Sequence, residues 1–336
     1  MISVAIVILN FNGKQYLEKF LPIVIRHSPD CDIIVADNHS EDDSISFLRR
    51  ELPRVKLIEF DKNYGFCGGY NRALLQLDAD IFILLNSDIE VTEGWIKPII
   101  SMFEGDESIA AIQPKLLDYH EKNKFEYAGG AGGYIDKFGY PFCRGRIFDT
   151  IEKDQGQYDD SREIFWASGA ALCIKGDLYK SYSGFDEDFF AHMEEIDLCW
   201  RMKKDGKKIM YCADSVLYHV GGGTLAYSNP RKTYLNFRNS MLVLIKNLPV
   251  SGLLWKFAFR LMLDYVAALK FALTGQLRDA VMVIKAHFYI FTHLKRNLNK
   301  RSNDQKTNIK VSGIYPKSLL FNYHIARVRK FSKLEF

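Results

Sequence analysis

Two hydrophobic rhythms alternate over the first hundred residues. Short, mostly apolar runs at 4–9, 33–36, 56–60 and 81–85 are separated by stretches with helical spacing of apolar positions at 16–27, 43–51 and 69–77. A run such as Ile81-Phe82-Ile83-Leu84-Leu85 has no polar face, as a strand covered by helices on both sides requires. Strands and helices in this alternation predict an α/β domain with a mostly parallel sheet. Ligands of open sheets bind beyond the carboxyl ends of the strands. The residues that follow each run are therefore the candidates for chemistry.

The first run is followed by Asn10-Phe11-Asn12-Gly13, and the second by Asp37-Asn38-His39-Ser40-Glu41-Asp42, a polar cluster of helix-capping character. After the third comes Asp61-Lys62-Asn63-Tyr64-Gly65-Phe66-Cys67-Gly68-Gly69-Tyr70-Asn71. Its glycines allow close backbone approach, and a helix starting near Gly69 would offer free N–H groups to a diphosphate. The spacing is not that of a dinucleotide-binding fingerprint. The fourth run ends in Asn86-Ser87-Asp88, where the carboxylate is either a solvated strand end or a ligand for Mg²⁺ or Mn²⁺ beside a bound diphosphate.

The middle of the chain is less regular. The glycine-rich segment 129–133 reads as a turn, and Trp166-Ala167-Ser168-Gly169-Ala170 as a small-residue turn entering an apolar strand. Aromatic residues and carboxylates are mixed over 184–197, before a helix expected at 195–205 and ended by Gly206. Asp186 and Glu187 read as complements to the helix dipole. Glu194 and Glu195 differ, because the neighbouring Phe189 and Phe190 would raise a carboxyl pKa towards that of a general base. His219 ends another apolar run, before the glycines of 221–223, and is either structural or part of a metal shell.

Charge changes the picture of the C-terminal third. The net charge is only +4, yet residues 1–225 hold 25 Lys+Arg against 37 Asp+Glu, and residues 226–336 hold 20 against 4. A basic region of this kind points to an anionic partner, a membrane surface or nucleic acid. No uncharged apolar run between 238 and 295 is long enough to span a bilayer. Within 253–273, Lys256, Arg260 and Asp264 recur every four residues, leaving Leu254, Phe257, Leu261, Tyr265 and Leu269 on other faces. That pattern suits an interfacial amphipathic helix, or one packed on the preceding domain. The six cysteines are scattered without zinc-like or disulfide-framework spacing, which fits a reducing cytoplasm. No basic stretch precedes residues 4–9, so they read as a first strand rather than a signal peptide.

Over roughly residues 1–240 these segments, together with Glu194-Glu195-Ile196-Asp197-Leu198-Cys199-Trp200-Arg201 and Tyr234-Leu235-Asn236-Phe237-Arg238-Asn239, resemble the inverting family 2 glycosyltransferases, especially the bacterial rhamnosyltransferase-like branch that builds surface polysaccharides. The resemblance implies a GT-A fold for 1–225, followed by a membrane-associating helical region at 226–336. It implies a pyrimidine nucleotide-sugar donor, dTDP-rhamnose or a UDP-sugar, and a glycan or lipid-linked acceptor. Asp37 would contact the base. Asn10, Asn12, Asn63, Gly65, Phe66, Gly69, Asn71, Asn86, Ser87, Trp166, Ser168 and Gly169 would line the donor cleft. Asp88 would hold Mg²⁺ or Mn²⁺ with His219, and Glu195, with Glu194 beside it, would be the base.

Two departures from the family pattern matter: Asn86-Ser87-Asp88 supplies one carboxylate where an acidic motif is common, and Glu195 stands where aspartate is common. They leave open a catalytically silent sugar-binding scaffold. A nucleic-acid-binding protein, suggested by Phe288, Tyr289, Phe321 and Tyr323 in the basic region, would leave the acidic N-terminal cluster unexplained. The expected location is cytoplasmic, peripheral on the inner face of the cell membrane.

Overall fold

A computed structural model of the protein describes residues 2–221, 229–301 and 311–336. The N-terminal pattern folds as expected. Strands β1 (Val4–Asn10), β2 (Asp32–Asp37), β3 (Lys56–Glu59) and β4 (Ile81–Asn86) are joined by helices α1 (Lys14–His27), α2 (Ser44–Glu51) and α3 (Gly65–Leu74), with β5 (Ile89–Val91) and α4 (Ile96–Gly105) following. Strand β1 pairs in parallel with β2 and β4, and β2 with β3. Alternate residues enter two separate apolar layers. Ala5, Val7, Phe82 and Leu84 join one, and Ile6, Ile8, Ile83 and Leu85 the other, which is why these runs have no polar face. The registers set Asn10 beside Asp37 and Leu9 beside Asn86, so three strands end at one level.

Beyond α4 come β6 (Ile109–Asp118) and a run of short strands, β7 (Gly133–Asp136), β8 (Pro141–Cys143), β9 (Arg146–Ile147) and β10 (Thr150–Ile151). Then follow β11 (Arg162–Ile164), β12 (Ala171–Lys175), α5 (Gly176–Ser181), α6 (Glu194–Lys204) and β13 (Lys208–His219). The main sheet has the order β11-β13-β6-β12-β4-β1-β2-β3, with β5 on β13. It is mixed rather than mostly parallel. Strand β12 runs antiparallel between β4 and β6, and β11 and β5 run antiparallel to β13. A doubly buried apolar run carries no signal of its direction, so the pattern could not reveal this.

The C-terminal part comprises α7 (Pro230–Asn247), α8 (Val250–Leu273), α9 (Leu277–Thr292), α10 (Leu294–Asn299), β14 (Ile314–Tyr315) and α11 (Leu319–His324). It is built into the rest of the molecule. Met241 to Ile245 of α7 share a core with β2 and β4, and β14 extends a second sheet of order β10-β9-β8-β7-β14. Phe331 and Phe336 pack on Tyr134 of β7. The division expected at residue 225 is thus not a break in packing; residue 225 itself, with Gly222, Gly223 and Thr224 of the expected glycine loop, lies outside the described residues.

Helix α8 packs on the rest of the protein through its charged positions. Arg260 and Asp264 are buried, while Leu254 and Leu269 face outward. The Arg260 guanidinium donates to Phe138 O (3.1 Å), Ser240 Oγ (2.7 Å) and Asp264 Oδ1 (3.2 Å), and Asp264 Oδ2 lies 3.1 Å from His287 Nε2 of α9. Charges that satisfy one another can face inward. No helix among the described residues is long and apolar enough to cross a membrane.

Removing one member of this group leaves a buried charge uncompensated. Asp264→Ala should lower stability by about 3–5 kcal/mol, read as a lower urea midpoint at unchanged slope. A shift within error of zero would show that Arg260 finds water or another partner.

Candidate active site

At the level where β1, β2 and β4 end, the side chains brace one another. Asn10 Nδ2 donates to Asp37 Oδ2 (2.9 Å) and Ser40 Oγ (3.1 Å), while Ser40 donates from its backbone N–H to Asp37 Oδ1 (2.8 Å) and from its hydroxyl to Oδ2 (2.7 Å). Asp37 has no accessible surface. It holds the turn rather than facing a base, which departs from its expected role. Asn12 Oδ1 accepts from Glu41 N–H at 2.7 Å, and Asn38 donates to Asn63 Oδ1 (3.1 Å) and Gly65 O (3.0 Å). Asn10 Oδ1 is buried without a partner, an acceptor left for a ligand or water.

Helix α3 begins at Gly65, not Gly69. Gly65 has φ +72°, and a Cβ there would lie 2.6 Å from the Phe190 ring, so only glycine fits. Its N–H donates to Asn63 Oδ1, and those of Phe66 and Cys67 to Phe190 O at 2.9 and 3.2 Å. These three N–H groups are therefore taken by the protein and not offered to a diphosphate. At Gly69 a Cβ would sit 2.7 Å from Leu9 Cδ1, so its absence lets α3 pack on β1. Asn71 turns inward, donating to Phe185 O (2.8 Å) and accepting from Tyr179 Oη (2.7 Å) and Phe185 N–H (3.0 Å), and so belongs to the core rather than the cleft.

The strand-end carboxylate and histidine do meet. His219 Nε2, from the end of β13, is 3.2 Å from Asp88 Oδ1 and 3.4 Å from Asn86 Nδ2, and His219 Nδ1 is 3.2 Å from Glu126 Oε1. Burial opposes a charge on this imidazole, but Glu126 and Asp88 outweigh it and push its pKa up to about 10. Glu126 is a site residue that the sequence did not disclose. A lone glutamate in an irregular stretch carries no signal until the chain folds it against His219. Ser87 Oγ lies against Gly13.

An octahedral divalent ion with bonds of about 2.1 Å sets neighbouring ligands roughly 3 Å apart, so the 3.2 Å between Asp88 and His219 fits a shared ion. Among the described residues no three such groups form a complete shell. Glu126 stands behind the histidine, 3.2 Å from Nδ1, on the side away from Asp88.

Between this pair and the paired glutamates lies the turn after β11. Trp166 is buried and donates from Nε1 to Tyr134 O (2.9 Å), and Ser168 N–H donates to Gln113 Oε1 (2.8 Å), so both act as scaffold. Ala170 O accepts from Asn86 N–H. A Cβ on Gly169 would touch Phe66 at 3.3 Å and stand 3.8 Å from Glu194 Oε1. Gly169, Phe66 and Glu194 thus meet one residue from the contact with β4. Glu194 is buried and Glu195 retains some accessible surface. Burial raises both carboxyls: Glu194, with the Glu195 charge adding, well above the usual range, and Glu195 to about 7. An Oε2 of each has no partner.

The backbone that presents them is strained. Phe190, His192 and Met193 all have positive φ, at 65°, 71° and 73°. Helix α7 holds this segment: Asn239 Nδ2 donates to the carbonyls of Phe189 (3.0 Å), Ala191 (2.8 Å) and His192 (2.7 Å), and Arg238 Nη2 to those of Asp188 and Phe189, both at 2.8 Å. Burial, with the Lys232 charge adding, pushes His192 down to about 4, so it is neutral.

Comparison with known proteins agrees with this geometry. Residues 5–159 match the family model "Glycosyl transferase family 2". An N-acetylglucosaminyl-diphospho-decaprenol L-rhamnosyltransferase of Mycobacterium tuberculosis is 25% identical over 239 residues, covering 65% of this chain and 76% of the relative. Among solved structures, S. aureus TarS 1-349 in complex with UDP-GlcNAc superposes with a TM-score of 0.57 at 14% identity, covering 89% of this chain and 84% of that one. A mannosyltransferase of Pyrobaculum calidifontis in complex with GDP-Man and Mn²⁺ reaches 0.53 at 13% identity, covering 89% and 84%. The family match and the relatives together support a glycosyltransferase. Over residues 5–159 the chain is similar to the family 2 glycosyltransferases, and rhamnosyltransferases are among the relatives it resembles.

The clamp on the strained segment gives a measurable expectation. Asn239→Ala removes two N–H donors shared among three carbonyls, of which Phe189 O keeps Arg238, and should cost about 1–3 kcal/mol at roughly 1 kcal/mol per hydrogen bond, with faster amide exchange concentrated at 189–195. Uniform exchange across α6 and its preceding loop in both proteins would mean the segment holds itself.

Proposed function

We propose that the protein transfers a sugar from a pyrimidine nucleotide donor, dTDP-rhamnose or a UDP-sugar, to a glycan or lipid-linked acceptor in cell-surface polysaccharide synthesis. It does so by a single displacement with inversion, at the cytoplasmic face of the cell membrane. The observation that carries the reading is that one turn, Gly169-Ala170, touches Glu194 on one side and bonds to Asn86, a neighbour of the Asp88–His219 pair, on the other, with Glu195 next in the chain.

The donor's nucleotide lies at the strand ends, where Asn12 and Asn63 present polar edges on the turn that Asp37 braces. Asp88 would hold Mg²⁺ or Mn²⁺, joined by His219 once the ion displaces the proton that Glu126 and Asp88 favour, and the ion would supply positive charge to the leaving diphosphate. Glu195 takes the proton of the attacking hydroxyl. Its raised pKa suits that task, and its residual exposure lets an acceptor reach it, whereas Glu194 is buried against the donor side. Phe66, beside Gly169, forms an apolar wall next to the reacting sugar. No covalent sugar–enzyme intermediate is required.

Glu195→Gln should lower turnover by about 10²–10⁴ while leaving donor affinity nearly intact, and Glu194→Gln should affect chemistry less. The base must be ionised to work, so with its pKa near 7 the wild-type kcat/KM should climb as pH rises through neutrality. A rate flat from pH 5 to 8 would remove Glu195 from this role.

Asp88→Ala should abolish Mn²⁺-dependent turnover and His219→Ala reduce it, and calorimetry should show UDP or dTDP binding more tightly than GDP. Full activity in EDTA would exclude the metal assignment, and tighter GDP binding the pyrimidine one.

A further inference from the structure

Helices α8 and α9 form a hairpin whose polarity is reversed. Its ionic groups, Arg260, Asp264 and His287, lie buried in a hydrogen-bonded chain between the helices and the body of the protein. Its outer face is apolar. Of the twenty large hydrophobic side chains that are exposed among the described residues, thirteen lie between Val250 and Phe291. They are ordered as well as numerous. On α9, Leu277, Val281, Ile284, Phe288 and Phe291 follow one another at steps of four and three, a continuous stripe along the helix. On α8, Leu254 is 82% exposed, Leu269 59% and Leu273 79%. A patch of this extent on a soluble surface marks a partner site.

The charges around the stripes restrict the partner. Asp264 is buried and Asp279 is half-buried against Thr233 Oγ1, so the fully exposed charges of the two helices, Lys270, Arg278 and Lys285, are all basic. A second copy packed by a two-fold axis would set each of these cations near the same cations of its mate. A nucleic acid would meet the cations but leave the apolar stripes in water. A bilayer surface satisfies both, taking the stripes below the headgroups and the cations at anionic lipids. Trp255 and Tyr265, each about half exposed, are the aromatic types enriched at that boundary.

We infer that the outer face of the α8–α9 hairpin is a monotopic lipid-docking surface, held mainly by its apolar stripes and only secondarily by its positive charge. This deepens the membrane-side reading above and makes no use of the catalytic assignment. The hairpin lies flat in the interface, with the buried ionic chain keeping its polar side closed against the protein.

Flotation of the full chain with phosphatidylcholine vesicles, with and without phosphatidylglycerol, tests it. Binding to both is expected, stronger with the anionic lipid, and high salt should remove only the difference. The triple variant Leu254→Gln, Leu269→Gln, Phe288→Gln changes exposed positions and should keep the wild-type melting temperature while losing partitioning by at least ~100-fold. Glu195→Gln should float like wild type, so a failure of the catalytic reading is scored separately. Three results would overturn the inference: a triple variant that floats unchanged, binding confined to anionic vesicles and abolished by salt, or a dimer in solution that the triple variant dissociates without any vesicle binding.

Discussion

The placement of the paired glutamates depends on a stretch of backbone that local preferences disfavour. Three residues with side chains, Phe190, His192 and Met193, sit in the left-handed region just before Glu194, at a cost of about 1–2 kcal/mol each. That cost is offset from outside. Asn239 and Arg238 of α7 take the segment's carbonyls, and Phe190 O in turn accepts the first N–H groups of α3. One loop thereby fixes three helices, so the donor-side helix, the paired glutamates and the C-terminal helices adopt their positions together.

This knot explains why the basic C-terminal third is not a tail. Asp186 and Asp197 lie on either side of the paired glutamates, and Lys246 of α7 reaches both, at 2.7 and 2.8 Å. Lys300 pairs with Asp186 and Asp188, and Arg296 with Asp188. Although burial works against ionisation, Lys246 and Lys300 hold the Asp186 carboxyl well below the usual range. Part of the charge asymmetry along the chain is therefore neutralised where its two parts meet. Asp186 and Glu187, expected only to complement a helix dipole, differ accordingly: Asp186 belongs to this seam, whereas Glu187 pairs with Arg72 of α3.

Much of the donor half was legible in the sequence, because a doubly buried strand writes a contiguous apolar run and the residue after it is forced to the sheet edge. That rule put Asn10, Asp37, Asn86 and Asp88 at the sheet edge, and β1 and β2 end one residue past the runs. What the rule could not supply was direction and partnership. The antiparallel β12, the commitment of Asn71 to Phe185 and Tyr179, and the pairing of Glu126 with His219 depend on long-range packing that leaves no local period. The second sheet was invisible for a different reason: its strands are two to four residues long and separated by turns, too short for any alternation to register. Helix α8 misled because a four-residue repeat of charged positions states that a polar face exists but not which way it points.

That ambiguity is settled by satisfaction rather than by hydropathy. A polar face turns inward when its members can pair with one another and with carbonyls already lacking donors, and Arg260 does this with Asp264, Ser240 and Phe138 O. Once the ionic groups are consumed inside, the outward face is apolar by default, and the hairpin's surface character follows from its core. The same layer carries a mechanical consequence. Helix α9 packs along α7, and α7 bears the Asn239 and Arg238 that shape the segment before Glu194. A surface that holds α8 and α9 therefore acts on the paired glutamates through one intervening helix. A lipid surface under the hairpin would thus bear first on the segment that presents Glu194 and Glu195.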